Sequence, residues 1–230
     1  MNEYRSGLKD GVAIGLGYLS VSFAFGVAAV KAGIPLWAAV LISATNLTSA
    51  GQLAGISVIA ACGSMLETAL TQAVINLRYA LMSLSLSQKL DPSVTDGQRY
   101  LIAFGNTDEI FAVSSGRERP VTTRYFLGLM TLPWICWTAG TFLGAAANRI
   151  LPHDVLSALG IAIYGMLIAI VLPAARKDRA VALVALTAAV LSCGFRWLPI
   201  LRDVSSGFAI ILCGIAAAAL GALLHPVEDE

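Results

Sequence analysis

Residues Thr71 to Ser87 read TQAVINLRYALMSLSLS, an apolar stretch with an arginine near its centre. On a helix, one polar stripe forms along one face and Arg78 lies on another; the stripe consists of Gln72, Asn76, Tyr79, Ser83 and Ser87. A helix that is polar on two faces cannot lie against lipid. An arginine at the bilayer centre costs about 2.5–3.5 kcal/mol on insertion scales, so we expect Arg78 to face a carboxylate, a water-filled path or a ligand. A purely structural ion pair is the alternative interpretation.

The composition is that of an integral membrane protein. Of 230 residues, 57% are hydrophobic and 13% are charged, whereas soluble domains carry roughly 25% charged residues. A net charge of +1, without a basic tract or acidic tail, gives no reason to expect a nucleic acid partner. The four cysteines fall one per apolar segment without metal-ligand spacing, so we expect small buried hydrophobes and no metal or cofactor. No cleavage site follows the first apolar run, which we therefore expect to remain as a span.

A crossing helix needs about 20 apolar residues, and this length predicts an all-α, polytopic membrane protein. We predict a single integral membrane domain over residues 1–230 with about eight spans, and six or seven spans are the alternatives. The predicted spans are 11–30, 36–62, 65–88, 100–115, 125–148, 155–175, 180–195 and 204–224. With both termini in the cytoplasm, eight lysines and arginines lie inside and six outside, a weak positive-inside bias. Making the fourth segment re-entrant would move the clusters GRERPVTTR and ARKDR outside, so eight crossings are favoured.

Polar residues interrupt two of these spans. The second span contains TNLTSAGQLAG, and the fourth contains GNTDE. Ser49 with Gln52, and Asn106 with Glu109, have the spacing of a capping box. These patterns predict discontinuous helices in spans 2 and 4, whose second halves begin near the midplane of the membrane. Close helix packing at Gly51 is the alternative interpretation of the first pattern.

Carboxylates inside apolar segments are the expected partners of Arg78. Asp108 and Glu109 lie well inside such a segment, and Glu67 at the start of the third span is a less deeply placed candidate. Adjacent residues point about 100° apart on a helix, so we predict a pair between Arg78 and Asp108, with Glu109 as a helix-start residue or a second titrating group. A zwitterionic amino acid fits this arrangement, because the half-helix N-termini and Arg78 suit its carboxylate and Asp108 suits its ammonium group.

The segments SAGQLAG, NLRYALMS and GNTDEIF, in this order and on these spans, resemble the AzlC family of branched-chain amino acid exporters, named for azaleucine resistance. The resemblance covers nearly the whole chain. It implies a secondary transporter of the bacterial cytoplasmic membrane, driven by the proton-motive force, that exports valine, leucine, isoleucine or related amino acids such as methionine. It also implies that the chain is the large subunit beside a small, separately encoded AzlD-type membrane partner.

The positions of the family's pattern are carried over as substrate- or ion-binding candidates, and they fall here at Ser49, Gly51, Gln52, Asn76, Leu77, Arg78, Thr107, Asp108 and Glu109. We add their neighbours Tyr79 and Asn106. Where relatives often have a histidine after the arginine, this chain has Tyr79. That difference leaves Asp108 or Glu109 as the expected titrating group.

Other function classes fit the sequence less well. A serine hydrolase needs a base within reach of its nucleophile, and His153 and His225 fall in loops near span ends. An aspartyl mechanism needs two carboxylates in one site, whereas Asp108 and Glu109 diverge on a helix. We therefore expect no enzyme activity. A channel lined by the polar stripe and a non-transporting membrane scaffold remain the alternatives to a transporter.

Overall fold

The computed structural model describes residues 2–148, 152, 168, 171–173, 175–201 and 204–224. These residues are helical apart from connecting loops and an isolated β-bridge between Leu90 and Val121. The predicted all-α class is therefore confirmed. The principal helices are α1 (Glu3–Asp10), α2 (Val12–Lys31), α3 (Leu36–Thr45), α4 (Ser49–Ala60), α5 (Met65–Ser87), α6 (Asp96–Phe104), α7 (Asp108–Gly116), α8 (Thr123–Ala147), α9 (Arg179–Trp197) and α10 (Ser206–Leu224), and a 3₁₀ turn spans Pro199–Leu201.

The chain forms two compact units. The first unit comprises Met1–Gln52 and Asn76–Gly160, and the second comprises Leu53–Ile75 and Ile161–Glu230. The division passes through α4 and α5, so each of these helices contributes one part to each unit. All the predicted site residues belong to the first unit.

Helix α8 is the centre of the first unit, and α1 and α2 run beside it in the same direction. Glycines allow this approach: a Cβ added at Gly7 would lie 2.7 Å from the backbone nitrogen of Leu129, and one at Gly26 would lie 2.7 Å from that of Ala145. Small residues commonly let helix backbones approach closely in membrane proteins. The parallel arrangement places the start of α1 beside the start of α8, and the end of α2 beside the end of α8.

The end of α5 meets helices α6 and α7 near the start of α8. An apolar cluster joins the end of α5, α6, α7 and α8 there, and it consists of Leu86, Val94, Ile102, Ile110, Val121, Tyr125, Phe126 and Leu129. Arg117, which follows α7, forms an ion pair with Glu3 at 2.8 Å and stacks on the ring of Tyr125 at 3.9 Å. This contact holds the N-terminal helix against the loop between α7 and α8.

In the second unit, α9 and α10 pack against each other, and Val184 of α9 approaches Gly221 of α10. The carboxylate of Glu67, in the first turn of α5, accepts hydrogen bonds from the hydroxyl of Ser205 and from the backbone N–H of Gly207 at 3.0 Å. Glu67 is only 5% exposed. Because a helix N-terminus attracts negative charge, this carboxylate stabilises the first turn of α10.

The helix bounds follow the predicted spans closely, and both predicted breaks are confirmed, between α3 and α4 and between α6 and α7. In the described part of the chain, four helices are long and apolar enough to cross a membrane: α2, α8, α9 and α10. The predicted span 155–175 lies largely outside the described residues, as do His153 and His225. The count of eight crossings remains a prediction.

Candidate functional site

The first break leaves residues 46–48 outside any helix. The hydroxyl of Thr48 accepts a hydrogen bond from the backbone N–H of Gly51 at 3.3 Å and so caps α4. The predicted cap at Ser49 is therefore wrong by one residue, because Ser49 is already the first helical residue. Ser49 is half-buried and Gly51 is buried within this first turn.

Gln52 closes the first break. Its amide nitrogen donates to the backbone oxygens of Asn46 and, at 3.4 Å, Ile42, while its amide oxygen accepts from the hydroxyl of Ser43 at 3.4 Å. The last carbonyls of a helix have no intrahelical partner and must be satisfied in another way. Gln52 supplies that partner at the end of α3 and is 2% exposed. This predicted binding residue thus holds the break together.

The second break is capped by Thr107, whose hydroxyl accepts from the backbone N–H of Ile110 at 3.4 Å. Asn106, the predicted cap, is therefore not the cap. Its amide instead donates to the hydroxyl of Ser83 at 3.0 Å, which attaches the break to α5. Glu109 does not reach back to Asn106 as predicted; its carboxylate accepts a hydrogen bond from the Tyr18 hydroxyl instead.

Arg78 and Asp108 form the ion pair that the sequence predicts. A guanidinium nitrogen of Arg78 donates to a carboxylate oxygen of Asp108. A second guanidinium nitrogen lies 3.2 Å from the hydroxyl of Tyr79, and the guanidinium carbon lies 4.8 Å from the centre of that ring. The two charged side chains are 45% and 39% exposed, respectively. Contacts with Asp108 and Tyr79 thus fix the position of the Arg78 guanidinium, while both charged side chains stay exposed enough for a ligand to reach them.

Asn76 and Thr48 connect this pair to the first break. The Thr48 hydroxyl lies 2.9 Å from the side-chain oxygen of Asn76, which precedes Arg78 by two residues and Tyr79 by three. Thr48 is also a hydrogen-bond partner of Tyr79. Helix α5 consequently contacts both broken helices, through Asn76 on its polar stripe and through Arg78 on its other polar face.

Tyr18 of α2 is a site residue that the sequence analysis missed. Its hydroxyl donates to Glu109 at 2.5 Å and lies 2.7 Å from the hydroxyl of Thr107. Its ring packs edge-on against Trp137, with 5.1 Å between ring centres, and Leu47 of the first break joins the same cluster. The sequence GLGYLS around Tyr18 did not indicate a site residue, since a single tyrosine in a span commonly serves only to pack against its neighbours.

The electrostatics follow from the helix ends. Helices α4 and α7 both begin at the breaks, where their first N–H groups carry partial positive charge. Asp108 and Glu109 occupy the first turn of α7 and therefore stabilise its N-terminus. The first turn of α4 has no acidic residue, so a ligand anion can interact favourably there. Arg78 adds a full positive charge on the side of α5 that faces Asp108 of α7.

Two half-length helix pairs, broken beside an intramembrane ion pair, define a multi-span membrane protein of the kind that transports small molecules through discontinuous helices. This class is narrowed by comparison with known proteins. The chain belongs to the AzlC family, since the family model described as AzlC protein matches residues 13–151, a range that includes both breaks and Arg78. AzlC is a membrane transport family.

Two curated relatives agree with this assignment. The chain is 26% identical to the inner membrane protein YgaZ of Escherichia coli strain K12, over 99% of this chain and 94% of that protein. It is 34% identical to an uncharacterized membrane protein of Archaeoglobus fulgidus, over 74% of this chain and 75% of that protein. No solved structure matches this chain.

Proposed function

We propose that this chain is a secondary transporter that exports branched-chain amino acids, namely valine, leucine, isoleucine and related amino acids such as methionine. It acts as one transporter domain in the bacterial cytoplasmic membrane, with both termini in the cytoplasm. It is the large subunit of a two-component exporter and works with a small AzlD-type membrane protein. Membership of the AzlC family supports this proposal at the level of membrane transport.

The half-exposed ion pair between Arg78 and Asp108 is the observation that carries the proposal. A zwitterionic amino acid presents one carboxylate and one ammonium group, which are the two partners that this pair can exchange. The substrate carboxylate takes the place of Asp108 at the guanidinium, while its ammonium group binds the released Asp108 carboxylate. Both charges remain paired throughout, so the exchange avoids the cost of an isolated charge in a low-dielectric environment.

The broken helices supply the remaining recognition. The N-terminal turn of α4 offers partial positive charge to the substrate carboxylate, and Asn76 and Tyr79 border that turn through Thr48. An aliphatic side chain needs only apolar surroundings, which the spans provide. Specificity for branched-chain amino acids therefore rests on shape, and the charged groups fix the orientation.

We assign the coupled proton to Asp108. Glu109 accepts a hydrogen bond from the Tyr18 hydroxyl, whereas Asp108 forms an ion pair with Arg78. When the substrate occupies Arg78, the carboxylate of Asp108 is free to bind the substrate ammonium or a proton. Competition between these two cations for one carboxylate is the simplest way to link export to the proton gradient.

Efflux of labelled valine, leucine, isoleucine and methionine from vesicles tests this function, with and without the AzlD-type partner. We expect export by the pair of proteins and its loss in Asp108→Asn and in Arg78→Ala. Glu118→Gln and Arg119→Ala are matched controls, because both residues are exposed in the loop after α7, and they should export normally. Restored export in the double variant Arg78→Ala, Asp108→Ala would show that the pair is only structural.

A further inference from the structure

We infer that the chain has a second binding site for an aliphatic amino acid, in a pocket between the end of α5 and α6, where the substrate enters before it reaches the Arg78–Asp108 pair. The identity of the ligand rests on the proposed function. The walls of this α5–α6 pocket belong to the first unit, and they include Ser83, Leu86, Arg99, Tyr100, Ile102 and Ala103.

The size and the walls of the α5–α6 pocket suit a short aliphatic side chain. The pocket encloses about 210 Å³, which is below the roughly 300–1,000 Å³ of pockets that take drug-sized ligands. Its surface is almost entirely apolar. Leu86 and Ile102 are 2% and 3% exposed and belong to the apolar cluster at the start of α8, so the packed core fixes that part of the wall. A branched aliphatic group therefore fits, whereas a charged side chain does not.

An exposed ion pair accompanies the pocket. Near the start of α6, the Nε atom of Arg99 lies 3.7 Å from a carboxylate oxygen of Asp96, and the two side chains are 44% and 99% exposed, respectively. Such a pair contributes little to stability, so a ligand displaces it at small cost. The guanidinium of Arg99 can bind a carboxylate through parallel N–H groups, and Asp96 can bind an ammonium group. An aliphatic amino acid presents both charged groups beside an apolar side chain, so it matches the pair and the pocket together.

Ser83 links the α5–α6 pocket to the second break. It lines the pocket, and its hydroxyl accepts a hydrogen bond from the amide of Asn106 at 3.0 Å. The amide oxygen of Asn106 is buried and has no hydrogen-bond partner in the part of the chain that the structure describes, and an unsatisfied buried acceptor is costly. The ammonium group of an amino acid that moves from the pocket towards Asp108, two residues further on, can donate to this oxygen. On α5, Ser83 lies one helical turn after Tyr79, which contacts the ion pair.

The α5–α6 pocket lies at the end of the first unit where α1 also begins. The side chain of Gln98 in α6 accepts from the hydroxyl of Thr123, the first residue of α8, at 3.0 Å. At the other end of α6, a Cβ added at Gly105 would lie 2.6 Å from the sulfur of Met130, about 10 Å further along α8. The second break is therefore deeper in the unit than the pocket. Because the proposed function places the N-terminus in the cytoplasm, the pocket takes up its ligand from that side.

Cysteine labelling shows whether the pocket binds an amino acid. The four native cysteines are replaced by alanine, and Tyr100→Cys is introduced at a wall position that is 79% exposed. Membrane vesicles with this chain and its AzlD-type partner are then treated with a maleimide. We expect valine to slow the labelling in proportion to the share of sites that it occupies, and glutamate to have no effect. Protection by valine should persist in Asp108→Asn and be lost in Arg99→Gln, while labelling of the control Arg119→Cys, in the exposed loop after α7, should not respond to valine.

Export kinetics give a second measurement that does not need the cysteine-free protein. Arg99→Gln should raise the valine concentration for half-maximal export about tenfold, the effect of losing a hydrogen bond to a charged group, while the maximal rate stays close to that of the wild type. Ala103→Leu, which fills the pocket from an exposed position, should act in the same direction. Arg124→Gln and Ala112→Leu are matched controls at exposed positions that do not line the pocket, and their half-saturation should be unchanged.

The outcomes distinguish the pocket from the proposed function. Protection of Tyr100→Cys by valine, without export by the wild type, would retain the binding site and refute the proposed function. Export by the wild type without protection of a normally labelled Tyr100→Cys would overturn the binding site. Unchanged half-saturation in both Arg99→Gln and Ala103→Leu would overturn its role in entry.

Discussion

Replacing Gly26 by alanine should destabilise the packing of α2 against α8. The added Cβ would lie 2.7 Å from the backbone nitrogen of Ala145 and closer still to the backbone oxygen of Thr141. Both neighbours are main-chain atoms, so no side chain can move aside, and the helices must separate by several tenths of an ångström or more. Overpacking of this kind costs about 1–3 kcal/mol. Gly17→Ala is the matched control on the same helix, because nothing lies within 4 Å of its added Cβ.

Equilibrium unfolding in mixed detergent micelles, followed by far-ultraviolet circular dichroism, measures the difference. We expect Gly26→Ala to lose about 1–3 kcal/mol of unfolding free energy, while Gly17→Ala changes by no more than about 1 kcal/mol, the glycine-to-alanine difference in helix propensity. Since α2 carries Tyr18, the destabilised variant should also export more slowly. Equal stability of the two variants would refute the close approach of α2 and α8.

Three further substitutions test the site. Tyr18→Phe removes the donor to Glu109 and should slow valine export about tenfold, the equivalent of roughly 1.4 kcal/mol, with unchanged circular dichroism; unchanged export would exclude a role for this contact. Thr107→Ala should cost about 1 kcal/mol by loss of a cap, whereas Thr107→Ser should be close to wild type in the same unfolding measurement, and equal losses would argue against capping. Gln52→Leu leaves the Asn46 carbonyl without its partner and should cost about 1–3 kcal/mol, so a stability equal to wild type would contradict the closure of the first break.

Much of the fold was predictable because hydropathy and charge record where helices begin and end. The polar interruptions around Thr48 and Thr107 predicted both breaks, since polar residues in an apolar segment need internal partners. The Arg78–Asp108 pair was predictable for the same reason. These features depend on local composition, which a single sequence contains.

The direction of the chain after each break was not predictable from hydropathy. A half-helix that continues and one that turns back have the same composition, and the difference lies in contacts such as Gln98 with Thr123.

The capping residues and the role of Gln52 could also not be predicted from the sequence. Ser49 and Thr48 are adjacent hydroxyl residues, and both have the spacing of a cap for some start of α4. The side-chain amide of Gln52 could bind a ligand, yet its nitrogen donates to the backbone oxygens of Ile42 and Asn46 at the end of α3. Tyr18 is distant in sequence from Glu109, so only the packing of α2 brings them together.

Equilibrium binding of labelled valine to the purified protein tests the central claim, which is that Arg78 and Asp108 hold the substrate. Arg78→Lys and Asp108→Asn should each weaken binding about tenfold or more, because hydrogen bonds to charged groups contribute about 1.5–3 kcal/mol and 1.4 kcal/mol equals a factor of ten. Glu118→Gln should bind valine as the wild type does. Wild-type affinity in both site variants would contradict the claim.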